Sequence, residues 1–187
     1  MNDPAASAHS GSMQNAAKQR SVNSPDGKVV PTFRVVIVYE DFRTARQAKQ
    51  AYDFLVANLT QEWQVTSQMW KFGLLRIPEL GALAAEDAML ADLIIVSCNG
   101  DGELPADVRT WIEMSLGTKA EAVALVALLD CPSGQVQRAQ ITQACLERIA
   151  QRAHMDFFTW PQGLPRQTSL VLERALPTKA EPLRQAA

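Results

Sequence analysis

Apolar positions along the chain fall into short runs separated by helical spacings. "FRVVIVYE" (33–40), "ADLIIVSC" (91–98) and "AVALVALLD" (122–130) are β-branched or aliphatic runs. The first two, without alternation, predict strands covered on both faces, and the third predicts a further strand. "WQVTSQMWKF" (63–72) alternates apolar with polar and predicts a more exposed, edge-like strand. "DFFTW" (156–160), followed by Pro161, predicts a last strand. Between these runs the period lengthens. Ala45, Ala48, Tyr52, Leu55, Val56 and Leu59 recur at helical spacing, with Thr44 as the expected N-cap and Gln47 three residues on as a weak capping box. Pro78 opens a second helix carrying Leu80, Leu83, Ala84 and Ala88. Pro105 opens a third, with Val108, Trp111, Ile112 and Ser115 on its apolar face and Gly117 as its stop. Ser133 caps a fourth that runs to about His154. "QTSLVLERAL" (167–176) reads as a final short helix.

The order β-α-β-α-β-α-β-α-β calls for a parallel sheet with right-handed crossovers and helices on both faces. The expected fold is a three-layer doubly wound α/β sandwich around a five-stranded parallel sheet of order 2-1-3-4-5. Residues 1–31 are rich in Ser, Ala, Asn, Gly and Pro and nearly free of large apolar side chains. They read as a disordered tail, as do residues 177–187, leaving a single domain over 32–176.

Composition narrows the function classes. Of 187 residues, 47% are hydrophobic and 20% charged, which is globular usage. The net charge of −2 and the lack of a basic stripe argue against nucleic acid as a partner. The apolar runs are far shorter than the roughly 20 residues of a membrane helix, so no membrane partner is expected. The opening residues lack a basic segment followed by an apolar one, so no signal peptide is read there and a cytoplasmic location is expected. Cys98, Cys131 and Cys145 have no C-x-x-C spacing and read as free thiols.

Ligand sites in this architecture lie at the carboxyl ends of the strands, near the switch between strands one and three. Three loops meet there, 40–44, 97–105 and 130–133. They bring Glu40, Asp41, Asp101, Glu103 and Asp130 to one edge. Clustered carboxylates are oxygen ligands for Mg²⁺, with Glu40 and Asp41 the first choice, and without a cation they hold each other's pKa values up. The plainer reading is solvated loop acids, with Asp101 and Glu103 serving the dipole of the third helix. Phosphate cradling is disfavoured. Thr44, Arg43 and Arg46 suit an anion at the helix start, but Glu40 and Asp41 repel one, and no glycine-rich phosphate motif exists. The arginines then belong to a solvated face. Ser97 and Cys98 end the central strand, where a nucleophile would sit, yet His9 and His154 are both badly placed to act as its base. No catalytic residue is assigned. Trp160, at the end of the last strand, is a candidate interface residue beside its alternative as core.

With these residues in place, the chain resembles the receiver domain of two-component response regulators over roughly residues 33–161. The resemblance puts the acidic pair Glu40-Asp41 after strand one. It puts Ser97 where that family carries its phospho-accepting Asp, Asp130-Cys131 where it carries a hydroxyl, and Trp160-Pro161 where it carries Lys-Pro. The pair and the proline are kept; the acceptor and the lysine are not. The resemblance thus implies a degenerate, receiver-like interaction or signalling module of bacterial type, acting through a protein partner or by self-association. The alternative is a small-molecule- or Mg²⁺-binding protein or enzyme using the acidic edge. The topology is also similar to flavodoxin, but the first loop lacks that family's Thr/Ser- and Gly-rich phosphate loop, so flavin is not expected.

Overall fold

The computed structural model describes residues 31–59, 63–117, 122–131 and 136–160. The two expected tails, apart from Pro31, the expected cap Ser133 and the expected helix over 167–176 lie outside the described residues. Five strands, β1 (Thr32–Tyr39), β2 (Gln64–Lys71), β3 (Leu93–Cys98), β4 (Ala124–Leu129) and β5 (Asp156–Trp160), alternate with four helices. These are α1 (Phe42–Leu59), α2 (Pro78–Met89), α3 (Ala106–Ser115) and α4 (Val136–Arg152). All strand pairs are parallel, in the order β2-β1-β3-β4-β5. The fold is the flavodoxin-like α/β sandwich that the pattern predicts.

Handedness assigns the helices to their faces. The chain steps one way from β1 to β2 and the other way for every later strand. Right-handed crossovers then put α1 on one face and α2, α3 and α4 on the opposite one. The two cores follow this division. Ala48, Ala51, Leu55 and Leu59 of α1 pack on Val35, Ile37, Ile95 and Val126. Ala84, Ala88, Val108, Ile112, Leu146 and Ile149 pack on Val36, Val38, Ile94, Val96 and Leu125. Every residue of β3 is buried, as an unbroken apolar run in the sheet centre should be. In β2 no residue is buried, because it is the sheet edge.

Two helices depart from expectation. Helix α1 begins at Phe42, two residues before Thr44. Asp41 is the cap: its Oδ1 accepts the Thr44 backbone N–H at 2.9 Å, and the Thr44 hydroxyl accepts the Asp41 N–H at 2.9 Å. That is a reciprocal capping box with threonine at N3. In α2, Leu83 is 50% exposed and the buried stripe is Gly81, Ala84 and Ala88. Gly81 sets this rotation. A Cβ there would stand 2.7 Å from the Leu75 carbonyl oxygen, and the Gly81 carbonyl accepts the Trp111 indole N–H at 2.9 Å. We expect Gly81→Ala to destabilise the protein by about 1–2 kcal/mol in urea titration, since overpacking against backbone outweighs the ~1 kcal/mol gain in helix propensity.

Helix α4 ends in a Schellman turn. His154 sits at φ 57°, Met155 N–H donates to the Ala150 carbonyl at 2.9 Å, and His154 N–H donates to that of Gln151 at 3.2 Å. His154 therefore lies just before β5, at the amino ends of the strands, opposite Ser97 and Cys98.

Candidate functional site

The crossovers reverse their direction of travel across the sheet between β1 and β3, and the loops leaving these strands diverge there. Glu40 N–H continues the ladder by donating to the Ser97 carbonyl at 3.1 Å. Beyond it the backbone turns, and the acids of the edge meet N–H donors of the same chain. Glu40 Oε2 accepts the Asn99 backbone N–H at 2.9 Å. Asp41 Oδ2 accepts the Asn99 side-chain amide at 3.0 Å, while its Oδ1 caps α1. Asp130 Oδ2 accepts Arg43 Nε at 2.8 Å. A second guanidinium nitrogen of Arg43 donates to Asn99 Oδ1 at 2.9 Å. Arg43 and Asn99 thus tie the ends of β1, β3 and β4 together.

Beneath this latch lies a buried hydroxyl pair. Thr44 and Ser97 are both 0% exposed. Ser97 Oγ donates to the Thr44 carbonyl at 2.9 Å. Thr44 Oγ1 accepts the Asp41 N–H, and the Glu40 N–H at 3.2 Å, and donates to the Asp41 carbonyl at 3.0 Å. The residue in the strand-three position is therefore a structural strut between β3 and α1.

The electrostatics follow the hydrogen bonds. The Asp41 carboxyl is held below its ordinary value, first by the Thr44 backbone N–H and then by the Asn99 amide. The mutual upward push expected of crowded acids is not what governs it, because donors of the chain stabilise the charged form. The sign follows directly. A lowered folded-state pKa contributes stability that is complete above the ordinary value of 3.8 and is lost as pH falls through the folded value. We expect Asp41→Asn to shrink the loss in urea midpoint between neutral pH and about pH 3 relative to the native chain. Cys98 behaves oppositely. Burial pushes its thiol up to about 12, aided by Glu40 and Asp101, so it is a protonated core thiol at neutral pH.

The remaining acids lie apart from the latch. Asp101 and Glu103, with Glu40, Cys98, Gly102 and Thr142, line a small cavity of about 110 Å³. Gly100, at φ 62°, turns the chain into it, and the Thr142 hydroxyl of α4 donates to the Gly102 carbonyl. The structure thus divides the predicted cluster. Asp41 and Asp130 belong to the latch, Asp101 and Glu103 to the cavity, and Glu40 to both. Among the described residues, no three His, Cys, Asp or Glu side chains form a set placed to hold a metal. Trp160 ends β5, its backbone paired with Leu128.

Sequence reasoning missed Asn99 and the placement of Arg43. Asn99 reads as half of an Asn-Gly turn. Arg43 is solvated, with 59% of its side chain exposed, but it is ion-paired as well. A reader could have found the pair only by placing 43, 99 and 130 at adjacent strand ends. Phe42, 77% exposed, stands beside the latch with the Arg46 guanidinium carbon 5.3 Å from its ring centre. Among the described residues no helix is long and apolar enough to cross a membrane. No protein-family model matches the chain, and no curated protein matches it.

Proposed function

We propose that this chain is a receiver-like interaction module that does not carry out phosphotransfer, its carboxyl-end edge closed by the chain's own donors. One observation carries the reading: Arg43 puts a guanidinium between Asn99 and Asp130, at the edge where an oxygen-ligated cation would otherwise neutralise the acids. Ser97 supports it, since a fully buried hydroxyl bonded to a carbonyl has no carboxylate to phosphorylate. The module then works by contact. Phe42, flanked by Arg43 and Arg46, offers an aromatic and cationic contact point at this edge, the residue types enriched at interfaces. The end of β5 at Trp160 is a second contact edge in this reading.

The test is intact mass after incubation with acetyl phosphate and Mg²⁺. The expected result is an unchanged mass. A phosphoryl adduct lost on Asp41→Asn or Asp130→Asn overturns the proposal.

A second reading, a divalent-cation binder, rests on the small cavity that Glu40, Asp101 and Glu103 help to line; these acids are not placed as a ready ligand set. At about 110 Å³ it suits a hydrated ion, well below the roughly 300 Å³ at which small-molecule sites begin. A binder held at 100 times its Kd would gain about 2.7 kcal/mol of stability. A melting temperature unmoved by Mg²⁺ and Mn²⁺ removes this reading.

A further inference from the structure

We infer that β2 is the seam of a homodimer, in which two copies join edge to edge into one continuous ten-stranded sheet. Among the described residues, the alternation of the ladder shows which groups β1 leaves unpaired. Gln64 N–H donates to the Pro31 carbonyl at 2.9 Å, so the backbone groups of residues 64, 66, 68 and 70 face β1. Those of Val65, Ser67, Met69 and Lys71 face away from it. The Val65 carbonyl accordingly accepts from the Tyr52 hydroxyl, at 3.3 Å, and not from β1.

Edge strands in natural proteins are usually short, charged, bulged or broken by proline. Before Lys71 this one has none of these devices. It runs eight residues in unbroken register with β1, and it carries no proline and no charge before Lys71. Apolar side chains are also exposed on the strand and on α2. Met69 is 37% exposed, and on α2 Leu83 and Leu90 are 50% and 54% exposed. A groove of about 240 Å³ lies between α2 and the sheet, lined by residues 34–36 of β1, 66–68 of β2, and Asp87 and Leu90.

A second copy is the occupant these features fit. A two-fold axis normal to the sheet at Ser67 pairs Ser67 with itself and Val65 with Met69 of the other copy. All three positions have outward-facing backbone groups, so each pair falls at a hydrogen-bonded position, the Val65 carbonyl being shared with the Tyr52 hydroxyl. The cross-strand pairing is apolar with apolar and neutral with neutral, which is what an isologous contact requires. The same axis sets α2 beside α2 of the other copy, on the side where Leu83 and Leu90 are exposed.

Sedimentation equilibrium of the full chain tests this, with Ser67→Pro and Ser67→Lys as variants. The Ser67 N–H points away from β1, so proline there leaves the β1 ladder intact and removes two seam bonds. Lysine opposes two like charges across the axis. The expected result is a mass twice the 20.5 kDa of one chain, halved in both variants with far-UV dichroism unchanged. A monomeric native chain overturns the inference, as does a dimer that survives both substitutions. So does a monomer whose Val65, Ser67 and Met69 amides are protected from exchange, because the chain's own termini would then cover the edge. None of these outcomes bears on the closed acidic edge, which lies at the strand ends.

Discussion

Ser97→Asp is expected to cost about 4 kcal/mol relative to Ser97→Asn in urea titration at neutral pH. The site is fully buried, and among the described residues the partner of the hydroxyl is the Thr44 carbonyl, an acceptor. An ionised carboxylate there would face an oxygen with no compensating donor, so it must be held protonated. Holding a carboxyl of ordinary pKa near 3.9 neutral at pH 7 costs about 4 kcal/mol, from roughly three pKa units at 1.36 each. The folded pKa is raised, so the penalty acts above the unfolded value and disappears as pH falls toward about 4. Ser97→Asn, neutral and similar in size, carries the steric cost alone. The gap between the two variants should therefore close on acidification. The Ser97 site is built around a hydroxyl donor.

Thr44→Val should destabilise the fold by about 1–3 kcal/mol, with Thr44→Ser near the native value. Valine keeps the shape and removes the oxygen. The Glu40 N–H keeps its bond to the Ser97 carbonyl, but the Asp41 N–H loses its acceptor at 2.9 Å. An orphaned, part-buried backbone donor carries its full desolvation cost. The cap also loosens, because Asp41 Oδ1 and the hydroxyl of Thr44 fix each other's positions. The effect should be read in urea midpoint at neutral pH, and a valine variant as stable as the serine variant would remove this residue from the strut.

The alternation of strands and helices and the edge-like character of β2 are legible in the sequence, because hydrophobic period sets them; the strand order is not written in the period and is expected only as a common arrangement of such folds. "LIIVSC" is continuous because β3 is covered twice, and "QVTSQMWK" alternates because it is not. Local caps are less legible. Asp41 and Thr44 both suit an N-cap, and the pattern does not show that they act as a pair three residues apart. Leu83 and Gly81 exchange roles for a reason no period contains, the approach of the Leu75 carbonyl. The acids were visible as residue types at one sheet edge. Their division between a latch and a cavity was not, since it depends on Arg43 and Asn99 reaching across three loops.

The Arg43–Asp130 pair is exposed and contributes at most about 1 kcal/mol of stability. Its importance in this account is occupancy, a fixed cation held among the acids of the edge. The most direct test is therefore a Mg²⁺ titration followed through backbone amide shifts of Glu40, Asp41, Asn99 and Asp130, in the native chain and in Arg43→Ala. The account predicts still resonances in the native chain and saturable shifts once the guanidinium is gone. Saturable shifts of the same amides in the native chain, unchanged by Arg43→Ala, would show an edge open to cations and contradict it.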